Sequence, residues 1–214
     1  MDASLTERSL AGAVRTLTEA DPALAASVAR YGVPPLWARE PSFATLVHLI
    51  LEQQVSLASA LAAYRRLEAA SGGQPAPATF LAFDDAQLRV IGFSRQKAGY
   101  ARDLALAMTD GFALDLLAAQ EDDDARAALM ALRGIGRWTA DVFLTMCLLR
   151  PDVWPVGDRA LAVGAGEVLG LATTPSQEEL EATAGRWRPL RAVAARVCWN
   201  HYLGVRGRPV ALPG

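Results

Sequence analysis

Apolar residues recur at helical spacing along almost the whole of this 214-residue chain. Between Phe43 and Leu51 they stand three and four positions apart, which places them on one face of a helix. Hydrophobic residues make up 52% of the chain and alanine and leucine dominate, whereas β-branched runs are scarce. This composition favours helices over strands. The sequence therefore predicts an all-α protein, built as one large domain or two small interlocked ones.

Capping residues and turn residues mark the ends of the individual helices. Asp21-Pro22 predicts a helix start, and Ser176-Gln-Glu-Glu179 has the pattern of a capping box. Ser42 begins a helix that we expect to bend near Gln53-Gln54 and to continue to about Ala70. The loop 71–77 follows it. Further helices are predicted at 4–18, 22–31, 85–91, 95–108, 125–132, 137–149, 158–169 and 189–203.

Two glycines, Gly134 and Gly136, stand between two of these helical segments. Neither has a Cβ, so they allow a tight turn and a close approach of another molecule to the backbone. The next helix presents unpaired N–H groups at its start, where a phosphate can bind without any base being read. Ordinary helix–helix hairpins also contain glycines, so this turn alone leaves a purely structural role open.

One carboxylate, Asp158, follows the apolar and rigid segment 153–157. That approach would leave the carboxylate partly desolvated at the mouth of a pocket. An Asp before a helix is most often an N-cap, but an N-cap can also be a catalyst. A hairpin that holds phosphate, together with a nearby isolated carboxylate, suggests an enzyme that acts on DNA.

Charge and composition exclude several classes of protein. The net charge of −2 and the pI of about 5.7 argue against coating of nucleic acid by bulk positive charge, although a local patch could still hold a few phosphates. Cys147 and Cys198 lack CxxC spacing, so we expect two buried thiols and no metal site. His48 and His201 stand alone, and each is expected to be packed or to lie at the solvent edge rather than to bind a metal. No segment resembles a membrane span or a signal peptide, which predicts a cytoplasmic protein.

Four stretches of the chain together resemble the helix-hairpin-helix DNA glycosylase superfamily, most closely its 3-methyladenine-DNA glycosylase II (AlkA-type) enzymes. The resemblance covers about residues 40–205. It is carried by the segments 132–140 with 153–158, 50–56, 92–98 and 186–199. It implies two helical lobes with a cleft between them, about 60–165 and about 1–59 plus 166–214. It also implies a short form, without the N-terminal β-rich domain of AlkA itself.

The resemblance assigns roles to individual residues. Asp158 would be the catalytic aspartate. The residues that would contact DNA are Gly134, Ile135, Gly136, Arg137, Thr139, Gln53, Gln54 and Ser56. The residues that would line the base pocket are Trp138, Trp199, Val142 and Arg159. Core packing of the two tryptophans, and a solvated helix face for Gln53 and Gln54, remain the alternatives.

This chain departs from the family pattern at three positions. Arg159 and Val142 replace expected aromatic residues, and Glu52 stands where a small residue is common. These changes bear on the range of damaged bases. Bifunctional relatives cleave the strand through a lysine of the helix after the hairpin, and residues 137–149 contain none. The expected product is therefore an intact abasic site.

The resemblance implies a monofunctional glycosylase that flips alkylated purines, of the 3-methyladenine and 7-methylguanine type, out of double-stranded DNA. We expect a monomer that requires no cofactor, although a monovalent cation could bind at the hairpin. Two alternatives stay open: a non-enzymatic helix-hairpin-helix protein that binds damaged DNA, and a glycosylase for deaminated or etheno bases. Asp158 favours an enzyme, since a binding module does not need a carboxylate facing the cleft.

Overall fold

A computed structural model describes residues 4–208, and this part of the chain contains helices and no strand. The prediction of an all-α protein is therefore confirmed for these residues. Short 3-10 helices lie at Asp115–Ala119 and Gly185–Trp187. The α-helices are α1 (Glu7–Ala20), α2 (Pro22–Tyr31), α3 (Phe43–Glu52), α4 (Leu57–Ser71), α5 (Pro77–Leu81), α6 (Asp85–Ile91), α7 (Arg95–Thr109), α8 (Asp122–Met130), α9 (Arg137–Met146), α10 (Arg159–Val168), α11 (Gln177–Ala184) and α12 (Arg191–Val205).

The helices group into two compact units, whose boundaries differ from the predicted lobes. The first unit combines the residues up to Arg39 with those from Leu144 onward, and the second is the continuous segment Glu40–Phe143. Residues 40–59 join the second unit because α3 packs against α4 and α7. Residues 144–165 join the first because α10 packs against α12 and α2. The predicted cleft between two lobes stays a prediction.

The single bent helix predicted from Ser42 to about Ala70 is in fact two helices. α3 ends at Glu52, and Gln54 adopts a left-handed backbone with φ +57°. A non-glycine residue in this conformation cannot continue a helix. The side chain of Ser56 then accepts a hydrogen bond from the N–H of Ser59 and caps α4. The result is an exposed turn at residues 54–56 where the sequence predicted a bend.

An aromatic cluster forms part of the core of the second unit. Phe80, on the short helix α5, is fully buried and lies edge-to-face with Phe43 and Phe93, at centroid distances of 5.8 and 5.5 Å. The sequence predicted a loop at 71–77 and no helix between this loop and the helix at 85–91. Pro77 starts α5 because its fixed φ suits the first helical position, and burial of Phe80 holds this short helix in place.

A buried guanidinium organises the core of the first unit. Arg196 on α12 is fully buried and donates hydrogen bonds to three backbone carbonyls: Leu36 at 3.0 Å, Thr145 at 2.6 Å and Ala192 at 2.9 Å. Burial lowers the pKa of Arg196 to about 10, so the group still carries its charge at neutral pH. A charge buried in this way needs several hydrogen bonds to offset its lost hydration. Arg196 thereby joins the segment after α2, the end of α9 and the start of α12.

Helices α10 and α12 approach each other closely at Gly164. A Cβ at this position would lie 2.3 Å from the carbonyl oxygen of Cys198, which no real contact permits. The backbone of α12 cannot move away without displacing the core around Cys198, which is fully buried. This contact therefore fixes the spacing between the helix that begins after Asp158 and the helix that carries Trp199.

We expect Gly164→Ala to lower the free energy of unfolding by about 1–3 kcal/mol, because the added methyl group overpacks the α10–α12 contact. Urea unfolding followed by circular dichroism measures the change. Gly12→Ala is the matched control, since Gly12 is also helical but no atom lies within 4 Å of where its Cβ would be. That change should stabilise the protein by about 0.5–1 kcal/mol. An unchanged midpoint for Gly164→Ala would contradict the close approach of the two helices.

Candidate functional site

The carboxylate of Asp158 caps the start of α10, as the sequence suggested. Its Oδ1 accepts a hydrogen bond from the N–H of Leu161 at 2.7 Å. The same oxygen accepts a second bond from the indole N–H of Trp199 at 3.2 Å. Trp199 is itself only 8% exposed and lies edge-to-face with Trp37, at a centroid distance of 6.4 Å. Two donors from two helices therefore fix the orientation of a half-buried carboxylate.

The segment before Asp158 is anchored by buried tryptophans. Trp154 is buried and packs against Trp187 at 5.5 Å between ring centroids. The indole N–H of Trp187 in turn donates to Asp21 at 2.8 Å. After this anchor, Gly157 has φ +86°, and its N–H donates to the side chain of Gln177 at 2.8 Å. The segment before Asp158 is therefore apolar and well packed, as expected, and its rigidity stays a prediction.

The residues predicted to line a base pocket occupy different surroundings. Trp199 lies against Asp158, so the structure brings this pair together. Arg159, the first residue of α10, is exposed. Trp138 and Val142 both lie on α9 in the second unit, where Trp138 is half-buried and Val142 is 3% exposed. Val142 is thus a core residue of its own unit, and its role in a pocket stays a prediction.

The two glycines of the hairpin lie in different structural surroundings. Gly134 has φ +87°, and a Cβ there would lie 2.1 Å from Cγ of Tyr100, so only glycine fits. Ile135 is buried. Gly136 is exposed, and a Cβ there would meet no atom within 4 Å. The first glycine packs against the protein, whereas the second leaves open space immediately before α9.

Gln53 joins the turn after α3 to this hairpin. Its side-chain amide donates to the carbonyl oxygen of Gly134 at 2.9 Å and to the hydroxyl oxygen of Thr139 at 3.1 Å. Thr139 is 1% exposed. The structure thus brings together three of the residues predicted to contact DNA, but the amide nitrogen of Gln53 points into the protein. Gln54 and Ser56 are exposed on the same turn.

An ion-pair cluster behind the hairpin was missed by the sequence analysis. Asp141 on α9 is fully buried and accepts hydrogen bonds from Arg126 at 2.5 Å and from Arg137 at 3.4 Å. Burial alone would lower the pKa of Arg126, but its hydrogen bonds and charge interactions with Asp141 and Asp123 together raise it. An aspartate inside the apolar run after the hairpin was the available signal, because a carboxylate is rarely buried unless it is paired.

Asp141→Asn should lower the free energy of unfolding by about 3 kcal/mol, since it leaves the largely buried Arg126 without its buried counter-charge. Chemical denaturation measures this loss. Asp123→Asn is the matched control: Asp123 pairs with the same guanidinium, but its side chain is 95% exposed. The control should leave stability almost unchanged. Equal losses in both variants would contradict a special role for the buried pair.

The two cysteines and His48 are buried, and His201 is half-buried. Cys147 and Cys198 are buried, as predicted. The buried ring of His48 stacks on the ring of Tyr64, with 4.4 Å between the two centroids. Its Nε2 lies 3.6 Å from Oε1 of Glu52. Glu52, 8% exposed, is therefore a core residue and not a surface charge.

Residues 4–208 contain no group of three His, Cys, Asp or Glu residues arranged to hold a metal ion. None of their helices is both long enough and apolar enough to cross a membrane. A monovalent cation held by hairpin carbonyls would be a different kind of site and stays a prediction.

Comparison with known proteins finds a matching protein family and several similar relatives. The HhH-GPD superfamily, described as base excision DNA repair proteins, matches residues 47–189. The Bacillus subtilis protein YfjP is 29% identical over 163 residues, which are 72% of this chain and 57% of YfjP. The chain thus spans less than two thirds of that relative.

Solved structures give matches of greater coverage. A DNA-3-methyladenine glycosidase from Bacillus halodurans is 30% identical, with a TM-score of 0.75 over 94% of this chain and 93% of that one. The Schizosaccharomyces pombe 3-methyladenine DNA glycosylase Mag1, solved with abasic DNA, has a TM-score of 0.82 and 24% identity over 88% of this chain and 95% of its own. The predicted helix-hairpin-helix glycosylase fold is confirmed by these matches.

Proposed function

Because the chain belongs to the HhH-GPD superfamily of base excision DNA repair proteins, we propose that it is a monofunctional DNA glycosylase. Its substrates would be alkylated purines of the 3-methyladenine and 7-methylguanine type in double-stranded DNA. The name of the Bacillus halodurans relative, a DNA-3-methyladenine glycosidase, supports the first of these two substrates. The observation that carries the proposal is the carboxylate of Asp158, oriented by Leu161 and Trp199 on a well-packed apolar approach.

The proposed mechanism assigns one task to each part of the site. The damaged nucleotide leaves the helical stack, because its glycosidic bond cannot be reached inside a duplex. Alkylation at N3 or N7 makes the purine cationic and a good leaving group. As the bond to the sugar breaks, the base leaves with the bonding electrons and positive charge develops on the sugar. The negative charge of Asp158 stabilises this charge until a water molecule adds to the same carbon and loses a proton, which gives the abasic site. Open space at Gly136 and the N-terminus of α9 would accept a backbone phosphate.

Asp158→Asn should reduce release of 3-methyladenine by a factor of about 10²–10³, because an amide cannot neutralise the developing charge. The variant should still fold, since asparagine is also a good N-cap and its oxygen can accept the same two hydrogen bonds. Base release from alkylated DNA under single-turnover conditions measures the effect.

A second aspartate provides the control for this experiment. Asp84 caps α6 and accepts a bond from the N–H of Gln87 at 2.8 Å, so Asp84→Asn makes the same chemical change at another helix start. Its base release should equal that of the wild type. If Asp158→Asn also matches the wild type, Asp158 is only an N-cap. The second candidate function, a non-enzymatic protein that binds damaged DNA, would then be favoured.

We also expect the DNA strand to stay intact after base removal. Strand cleavage through a Schiff base needs an accessible amine, and α9 has no lysine. The single lysine of the chain, Lys97, donates to the carbonyl oxygens of Leu51 at 2.8 Å and Gln53 at 2.7 Å. A labelled strand should therefore break only after alkali is added, and borohydride should trap no covalent complex. Trapping that disappears in Lys97→Met would overturn the monofunctional assignment.

A further inference from the structure

Lys97 lies at one end of a series of hydrogen bonds that reaches the hairpin. Its ammonium group binds the carbonyl of Gln53, and the side chain of Gln53 binds Gly134 and Thr139. We propose that Lys97 is a positioning residue for DNA binding, which acts through Gln53 to hold the hairpin in its binding conformation. This proposal rests on the proposed function, because it concerns how this protein grips DNA.

The first step is the capping of α3 by Lys97. The last carbonyl groups of a helix have no partner within the helix, and a cation near them is favourable. Lys97 binds the carbonyls of Leu51 and Gln53, where α3 gives way to the turn. The side chain is half-buried, and this burial lowers the pKa of Lys97. A partly desolvated ammonium needs such partners, so the two bonds fix the backbone at Gln53.

The second step is the placement of the Gln53 amide. Gln54 has a left-handed backbone, so the chain reverses direction immediately after Gln53. The two hydrogen bonds of the amide end at Gly134, before the tip of the hairpin, and at Thr139, inside the first turn of α9. Between these points lie residues 135–138, whose backbone includes the helix start that would face a phosphate. A displaced Gln53 would release both ends of this segment together.

The alternative is that Lys97 contacts a DNA phosphate directly. The two roles predict different salt dependence. A lost phosphate contact lowers the slope of log K against log salt by about one, because one counterion fewer is released. Without the positioning residue, DNA binding must also order the released hairpin, so binding weakens while the bound complex keeps the same number of phosphate contacts. The geometry favours positioning, because the ammonium group already donates to two carbonyls of its own chain.

The experiment compares Lys97→Met with the wild-type protein on a duplex that contains one abasic site. We expect the Kd to rise about tenfold, since two hydrogen bonds from a charged group are lost. The salt slope should stay unchanged, and KM should rise while kcat changes less than about twofold. Arg95→Met is the charge control, because Arg95 is an exposed cation on the same helix. A tenfold loss in this control, or a salt slope reduced by about one in Lys97→Met, would overturn the proposal.

A double-mutant cycle tests whether Lys97 acts through Gln53. Gln53→Leu removes the amide but keeps the size of the side chain. If the ammonium group serves to place this amide, the double variant should bind abasic DNA as weakly as Gln53→Leu alone. Additive losses in the double variant would show that the two residues act independently and would overturn the proposal.

Amide hydrogen exchange without DNA separates this proposal from the proposed function. Lys97→Met should accelerate exchange at residues 134–139 and leave α12 as protected as in the wild type. If Lys97→Met does not fold, Lys97→Gln replaces it and should accelerate exchange in the same way, because its uncharged amide suits a half-buried position but is too short to bind both carbonyls as the ammonium group does. Unchanged exchange at 134–139 would overturn the positioning role. Failure of the wild-type protein to bind DNA or to release bases would instead overturn the proposed function.

Discussion

The first unit depends on one buried cation. The guanidinium of Arg196 satisfies backbone carbonyls from three segments that are far apart in sequence: the chain before α3, the end of α9 and α12 itself. Removing this group would take its donors away from the carbonyls of Leu36 and Thr145 in the protein interior, where an unpaired polar group is costly. Because α12 is held in this way, Trp199, three residues further along, meets Asp158 in a fixed position. The orientation of the candidate catalytic carboxylate therefore depends on the hydrogen bonds that Arg196 makes in the core.

Two helix starts carry the proposed chemistry, and they differ in what lies next to their first N–H groups. At the start of α10, a carboxylate accepts a backbone N–H and an indole N–H. At the start of α9, the residue before the helix is a glycine with open space around its Cα. Unpaired N–H groups at a helix start attract negative charge in both cases. The protein supplies its own anion at one helix and leaves room for the anion of a ligand at the other.

The sequence predicted local features well and side-chain connections poorly. The helix starts at Asp21, Ser94 and Asp158 were predictable because a capping residue acts within three positions of itself. The bonds from Lys97 to α3 and from Gln53 to the hairpin span 44 to 86 positions, so no local pattern indicates them.

Two further differences between the prediction and the structure also come from features that no local sequence pattern indicates. The break at Gln54 depends on a left-handed backbone that glutamine seldom adopts, so its sequence still looks helical. The unit boundaries differ from the predicted lobes because they follow packing between helices, which spacing along the chain does not reveal.

The discontinuous first unit has a consequence for the order in which the protein is completed during synthesis. Segment 40–143 is continuous, so its whole sequence is available once Phe143 has left the ribosome. Helices α1 and α2 are made first, yet α12, against which both pack, is made last. Domains generally fold as units while the chain emerges. The hairpin can therefore form while the surroundings of Asp158 are still incomplete. A chain truncated before α12 would contain the candidate DNA-binding turn but would lack Arg196 and Trp199.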